Sequence, residues 1–142
     1  VIVNAAGAKV EQMGNSIDLP PEMAADLQAV IGIIPELKMM ENESVTVSGI
    51  EEIDGQSAYA LEMKGQSTTT TTYYAVESGL KLKQTTVTEM MGQTQTQDSN
   101  YNDYKRFGSL LIPTSTNVPL GPQSVDATLG AVTINGEAVN PE

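Results

Sequence analysis

Residues 57–90 constrain this chain more than any other stretch, because they read as three consecutive β-strands with almost nothing else between them. Ser57–Gly65 alternates, with Tyr59, Leu61 and Met63 on one face and Ala58, Ala60, Glu62 and Lys64 on the other. Thr68–Val76 is a β-branched and aromatic run, Thr68 to Thr72 followed by Tyr73 and Tyr74. Leu80–Met90 opens with Leu80 and Leu82 against Lys81 and Lys83 and continues through Thr85, Thr86, Val87 and Thr88. Period-two alternation sends one set of side chains to a buried face and the other to water. β-Branched residues fit that pleated surface because their restricted χ1 loses little there. The breaks, Gly65-Gln66-Ser67 and Glu77-Ser78-Gly79, are short and carry Gly, a hairpin spacing that predicts an antiparallel meander.

The rest of the chain extends this pattern. Val1–Val3 is a short apolar start, Ala8–Met13 alternates weakly and reads as a strand, and Gly14–Pro20 reads as loop. Pro21–Ile31 is the one helix: Pro21 suits the first helical position, Glu22 and Asp26 complement the dipole, and Met23, Leu27, Val30, Ile31 and Ile34 recur on one face. Gly32 and Pro35 end it, and Glu36–Met40 reads as a further short helical turn. Val45–Ile53 is a strand, and Asp54-Gly55 is a two-residue hairpin signal. Thr94–Phe107 reads as a long polar strand with a bulge near Asp98–Asn100, and Leu110–Val118 as a strand whose Pro113 marks an edge or a bulge. Ser124–Ile134 is the last strand, with Val125, Ala127, Leu129 and Ala131 on one face, and Asn135–Glu142 is tail. The fold class is therefore mainly β (α+β): an antiparallel barrel or strongly curved sheet of about seven to eight strands with one amphipathic helix.

Composition removes whole classes of chemistry. At 142 residues the chain is read as one domain, 1–142, large enough for a real core. With no Trp and one Phe, aliphatic residues and seven Met must fill that core. There is no Cys and no His, so neither thiolate chemistry nor imidazole metal binding, nucleophile activation or acid–base catalysis is available. No cofactor is expected. A net charge of −11 with a single Arg leaves no basic stripe for nucleic acid and no attraction to anionic headgroups. No apolar run approaches the ~20 residues that span a bilayer, so an integral membrane protein is not expected. The chain starts at Val1 with no initiator Met and no signal-peptide pattern, which suggests a piece of a longer precursor.

A group of short motifs carries a family resemblance. Tyr101-Asn102-Asp103-Tyr104-Lys105 followed by Gly108 and Ile112-Pro113, the Tyr73–Lys81 hairpin, Ile53-Asp54-Gly55-Gln56-Ser57-Ala58-Tyr59, Gly121-Pro122-Gln123 and Val132–Asn135 together resemble bacterial envelope domains of the outer-membrane lipoprotein carrier (LolA/LolB-like) class. Such domains occur C-terminally on insulinase-like zinc peptidases. The resemblance covers about residues 45–135 and implies a half-open β-barrel with a helical lid, an extracytoplasmic location, and partners in the rest of a parent chain or in a lipid, acyl chain or apolar peptide. The peptidase zinc motif His-x-x-Glu-His cannot exist here, so the resemblance implies a non-catalytic accessory module. A free-standing lipoprotein or lipid carrier and a purely structural spacer stand beside it as alternatives.

If the sheet is curved, Val45, Val47, Tyr59, Leu61, Met63, Leu80 and Leu82, with Leu27, Val30, Ile31 and Ile34 of the helix, line an apolar cavity or, as small barrels usually do, simply fill the core. Glu51, Glu52 and Asp54 cluster at a turn without a calcium-loop spacing and read as a solvated hairpin end. Asp103 reads as a surface partner of Lys105 rather than a buried acid, and no spacing among Ser57, Ser67, Ser78 and the six Lys supports a Ser/Lys dyad.

Overall fold

The computed structural model describes residues 2–4, 7–12, 15–30, 36, 45–90, 92–120, 123–134 and 137–140. Among these, the elements in chain order are β1 (Ile2–Asn4), β2 (Gly7–Gln12), β3 (Asn15–Asp18), α1 (Pro21–Val30), β4 (Val45–Ile53), β5 (Gln56–Lys64), β6 (Thr68–Ala75), β7 (Lys81–Met90), β8 (Gln93–Phe107), β9 (Leu110–Leu120), β10 (Gln123–Thr128), β11 (Val132–Ile134) and β12 (Glu137–Val139). Strands β4 to β10 form one seven-stranded sheet in sequence order, β1–β2–β3 a second and β11–β12 a third. The expected class is what the structure shows: a mainly β chain with one short helix, its antiparallel sheet open rather than closed into a barrel. The antiparallel meander over residues 57–90 is β5–β6–β7.

The turns explain the register. Asp54 (φ 49°) and Gly55 (φ 78°) both take left-handed backbone, the geometry of a type I′ hairpin that matches strand twist. Gly79 (φ 69°) closes the β6–β7 loop by donating to the Ala75 carbonyl at 2.8 Å. At the ends of the β5–β6 pair, Gly65 N–H donates to the Thr68 carbonyl at 2.7 Å, and Val76 N–H donates to the Ser57 carbonyl at 2.8 Å, which sets Ala58 opposite Ala75. In the next pair, Ala75 N–H bonds the Leu80 carbonyl and Glu89 N–H bonds the Ser67 carbonyl.

By contact the chain divides into two compact units, one of Val1–Gly49, Leu61–Thr71 and Thr86–Thr96, the other of Ile50–Ala60, Thr72–Thr85 and Gln97–Glu142. In the first, α1 packs on β1 and β2, burying Ala24 and Ala8. Ala24 N–H donates to the Pro20 carbonyl at 2.9 Å, so Pro20 is the N-cap and Pro21 the first helical residue. In the second, Ala58, Ala60, Thr72, Ala75 and Phe107 are buried.

Three expectations need correction. Residues 15–18, expected as loop, form β3, paired to β2 from Lys9↔Asp18 to Gln12↔Asn15. Its only apolar side chain, Ile17, is exposed, so backbone pairing makes this strand and no periodicity announces it. Ser124–Ile134 is not one strand: β10 ends at Thr128, Leu129 makes a last bond to the Thr114 carbonyl, and after Gly130 the chain re-enters as β11, which pairs with β12 in the expected tail. β8 is also distorted at Asp103 (φ 54°), a position not singled out for this; Asn102↔Ser115 and Tyr104↔Pro113 keep the same register around it, so it is a kink without an inserted residue. Finally, the alternation of β5 is out of phase with burial. Ala58 and Ala60 are fully buried while Tyr59 is 42% exposed, and the buried face changes only at Met63 (8%). Ile31 and Ile34, and residues 37–40 of the proposed second helical turn, lie outside the described residues, whereas Glu36 is helical.

This last correction is directly measurable. Ala60→Leu is expected to destabilise by about 1–3 kcal/mol through overpacking, and Tyr59→Ser by less than about 1 kcal/mol. Chemical denaturation of both variants checks it; the reverse order would restore the face read from alternation.

Candidate functional site

The second unit has a groove of about 680 Å³ between the β8–β9 pair, the 129–131 connection and the β11–β12 hairpin. Part of its wall comes from a segment the sequence singles out, Asp103-Tyr104-Lys105, with Thr114 and Ser115 of the paired strand. The alternation set by Leu129 N–H to the Thr114 carbonyl aims residue 113 at β8. Pro113 has no N–H to give Tyr104, its partner across the ladder. Beside that missing bond Asp103 adopts its left-handed backbone, and Thr114 Oγ1 donates to the Asp103 carbonyl at 2.6 Å. Phe107 forms a buried floor, with Leu129, Val132 and Val139 lining the sides and Asp103, Lys105 and Asn140 at the polar margin.

Cross-strand polar contacts stiffen the adjoining β7–β8 pair and explain how so hydrophilic a stretch holds a strand. Tyr104 Oη donates to the Lys81 carbonyl at 2.8 Å, and the Lys81 ammonium lies 4.9 Å from the Tyr101 ring centroid. Lys83 Nζ contacts Asp98 Oδ2 at 2.8 Å and Thr85 Oγ1 donates to Asp98 Oδ1 at 2.7 Å. The hydrogen bonds from Lys83 and Thr85 hold the Asp98 carboxyl below its ordinary range.

In the first unit the notable site is an occupied anion cradle. Asp26, on α1, accepts from three consecutive backbone N–H groups of the β5–β6 turn, Gln66 (2.8 Å), Ser67 (3.0 Å) and Thr68 (3.1 Å). The Ser67 and Thr68 hydroxyls add bonds of 3.0 and 2.9 Å. Successive N–H groups in a turn make a concave donor set suited to a carboxylate. Gly65 is required beside it: a Cβ there would sit 2.6 Å from Asp26 Cγ and 2.7 Å from Oδ2. Partial burial opposes ionisation of Asp26, but the backbone bonds from Gln66 and Ser67 and the hydroxyls of Thr68 and Ser67 outweigh it and lower its pKa from the ordinary 3.8.

The groove contains none of the residues expected to line a cavity. Val47 (66% exposed) and Tyr59 face solvent, correcting their assignment to an inner face; β4 is the last strand of its sheet and nothing described covers it. Val45, Leu61, Leu80 and Leu82 are half-buried, and Met63 borders a smaller cleft of about 290 Å³ with Ala25 and Asp26. Leu27 and Val30 lie on α1, but their side chains, like all of Ile31 and Ile34, fall outside the described residues. Glu51, Glu52 and Asp54 are exposed at the β4–β5 turn, and among the described residues no three carboxylates converge on a metal-sized site. Asp103 and Lys105 are both exposed. The groove residues missed, Phe107, Leu129, Val132 and Val139, carried one signal: Asn135-Gly136, a strong hairpin dipeptide, sits between β11 and β12.

No family model, no curated protein and no solved structure matches this chain.

The cradle predicts an acid-sensitive anchor. A carboxyl whose native pKa lies below its unfolded value contributes stability above that value, and the contribution is lost as pH falls below 3.8 and through the lowered native value. Asp26→Asn is expected to lose about 2 kcal/mol at neutral pH, with the gap to wild type closing in that acid range; denaturation at both pH values checks it. Gly65→Ala is expected to cost about 1–3 kcal/mol in wild type and much less in an Asp26→Ala background, a coupling that a double-mutant cycle reads directly.

Proposed function

We propose that this chain is a non-catalytic binding domain of the bacterial cell envelope, an accessory module of lipoprotein-carrier type on an insulinase-like peptidase, and that the β8–β9 groove holds an apolar chain. The observation that carries the reading is the groove itself. Its volume, about 680 Å³, lies within the range of small-molecule sites; its buried Phe107 floor and Leu129, Val132 and Val139 sides are apolar, and Asp103, Lys105, Thr114, Ser115, Thr128 and Asn140 make much of the rest of its lining polar. The absence of His and Cys from the sequence supports a binding role over nucleophilic or thiol catalysis. The family and compartment rest on the Tyr101–Lys105, Ile112-Pro113 and Tyr73–Lys81 motifs. No described helix is long and apolar enough to cross a membrane.

Native mass spectrometry and titration with a fluorescent fatty-acid probe test this reading. Saturable binding is expected, weakened about tenfold or more by Leu129→Asp, a substitution at a half-exposed position that leaves thermal melting nearly unchanged. Absence of saturable binding, or binding that Leu129→Asp leaves intact, removes the groove as an apolar site.

A further inference from the structure

The groove continues onto a strand edge that nothing described covers. The β9–β10 register places Val125 opposite Val118 and Ala127 opposite Thr116, and Leu129 N–H bonds the Thr114 carbonyl. Successive residues of a strand aim their backbone groups to opposite sides. Gln123, Val125, Ala127 and Leu129 therefore turn theirs toward β9, and Ser124, Asp126 and Thr128 turn theirs outward. β10 is the terminal strand of the seven-stranded sheet, so those outward N–H and C=O groups meet no further strand. Every residue of β10 is exposed. The side chains of Val125 (48% exposed), Val118 and Leu129 (43%) share one face, making an apolar strip that runs into the groove at Leu129.

Natural edge strands are usually blunted by Lys, Pro, bulges or a covering element. β10 (Gln-Ser-Val-Asp-Ala-Thr) contains neither Lys nor Pro. Its one charge, Asp126, accepts a bond from Asn117 Nδ2 at 2.7 Å, so it is held within the β9–β10 pair. Chain charge selects the occupant. A second copy would bring a further net −11 to the same edge, whereas a basic segment is attracted to it.

We infer that the β10 edge and the groove together take an extended basic peptide segment, which adds to the sheet as an eighth strand. Its backbone pairs with Ser124, Asp126 and Thr128, and its alternate apolar side chains lie along Val118 and Val125 and enter the groove at Leu129. The inference rests on the groove being a binding site, and names the ligand class that site accepts.

The test uses a fluorescein-labelled peptide of alternating lysine and valine, seven residues long, followed by anisotropy. Saturable binding is expected, weakened about tenfold or more by N-methylation of alternate peptide bonds, by replacing lysine with glutamate, and by Ser124→Pro or Thr128→Pro. Each proline removes only an outward N–H that the ladder does not use, so thermal melting should change little. Should a proline variant fail to fold, the N-methylated peptide still decides the matter on the wild-type chain. Equal binding of the N-methylated peptide overturns strand addition, as does the absence of saturable binding. If the fatty-acid probe still binds while the peptide does not, the groove reading stands and this inference falls. A dimer in sedimentation equilibrium that Ser124→Pro dissolves would make a second copy the occupant and would equally overturn it.

Discussion

A strand inside an antiparallel sheet needs backbone partners on both sides, and a sheet that does not close leaves two strands without them. Here the sheet runs from β4 to β10 in sequence order, so its unpaired flanks fall on its first and last strands. Much of the distinctive chemistry of the chain follows from this constraint. β4 is exposed along nearly its whole length, with Val47 and Ile50 in water, and every residue of β10 is exposed. The alternation of apolar side chains on these strands does not mark an inner face, because a single sheet layer buries a face only where another element lies on it.

Where cover is present, it is held by polar geometry as much as by apolar area. Asp26 is the clearest case: one carboxylate satisfies three backbone N–H groups and two hydroxyls of a tight turn, and it anchors α1 to the β5–β6 hairpin within the same unit. Left bare, those donors would have to find water or stay unpaired, and the glycine at position 65 is the clearance the carboxylate needs. The groove at the β8–β9 pair follows a related logic. Pro113 removes a ladder donor, Asp103 kinks beside it, and Thr114 compensates through its hydroxyl. The polar strand around them keeps its pairing through Tyr104, Lys81, Lys83 and Asp98.

Strands β4 to β9, the β5–β6–β7 meander and several of its turns were legible in the residues. The Thr68–Ala75 run, the Asp54-Gly55 turn and Gly79 each state a backbone preference that depends only on neighbours in sequence, and each is realised. Strands without a side-chain pattern were not legible. β3 exists because Asn15–Asp18 pairs with β2, and β12 because Glu137–Val139 pairs with β11. Of the candidate site, Asp103-Tyr104-Lys105 and Val132 stood out beforehand as parts of motifs, and Leu129 and Ala131 as one face of a strand, but none of them as a groove lining. Phe107, Leu129, Val132 and Val139 come together through the return of a C-terminal hairpin, and no local pattern in these positions announces their convergence.

By itself the sequence determined that no imidazole or thiol side chain is present in it, the β class, the single described helix with its Pro21 start, and the left-handed turns at Asp54-Gly55 and Gly79. These depend on which side chains exist and on steric preferences that act within a few residues. Only the tertiary structure decided which face of each strand is covered, that Asp26 would meet the turn at residues 66–68, and that the groove would form beside Phe107. Burial is a property of what lies across the sheet. Two-residue periodicity fixes that opposite faces differ, but the element packed above them selects which one is inside.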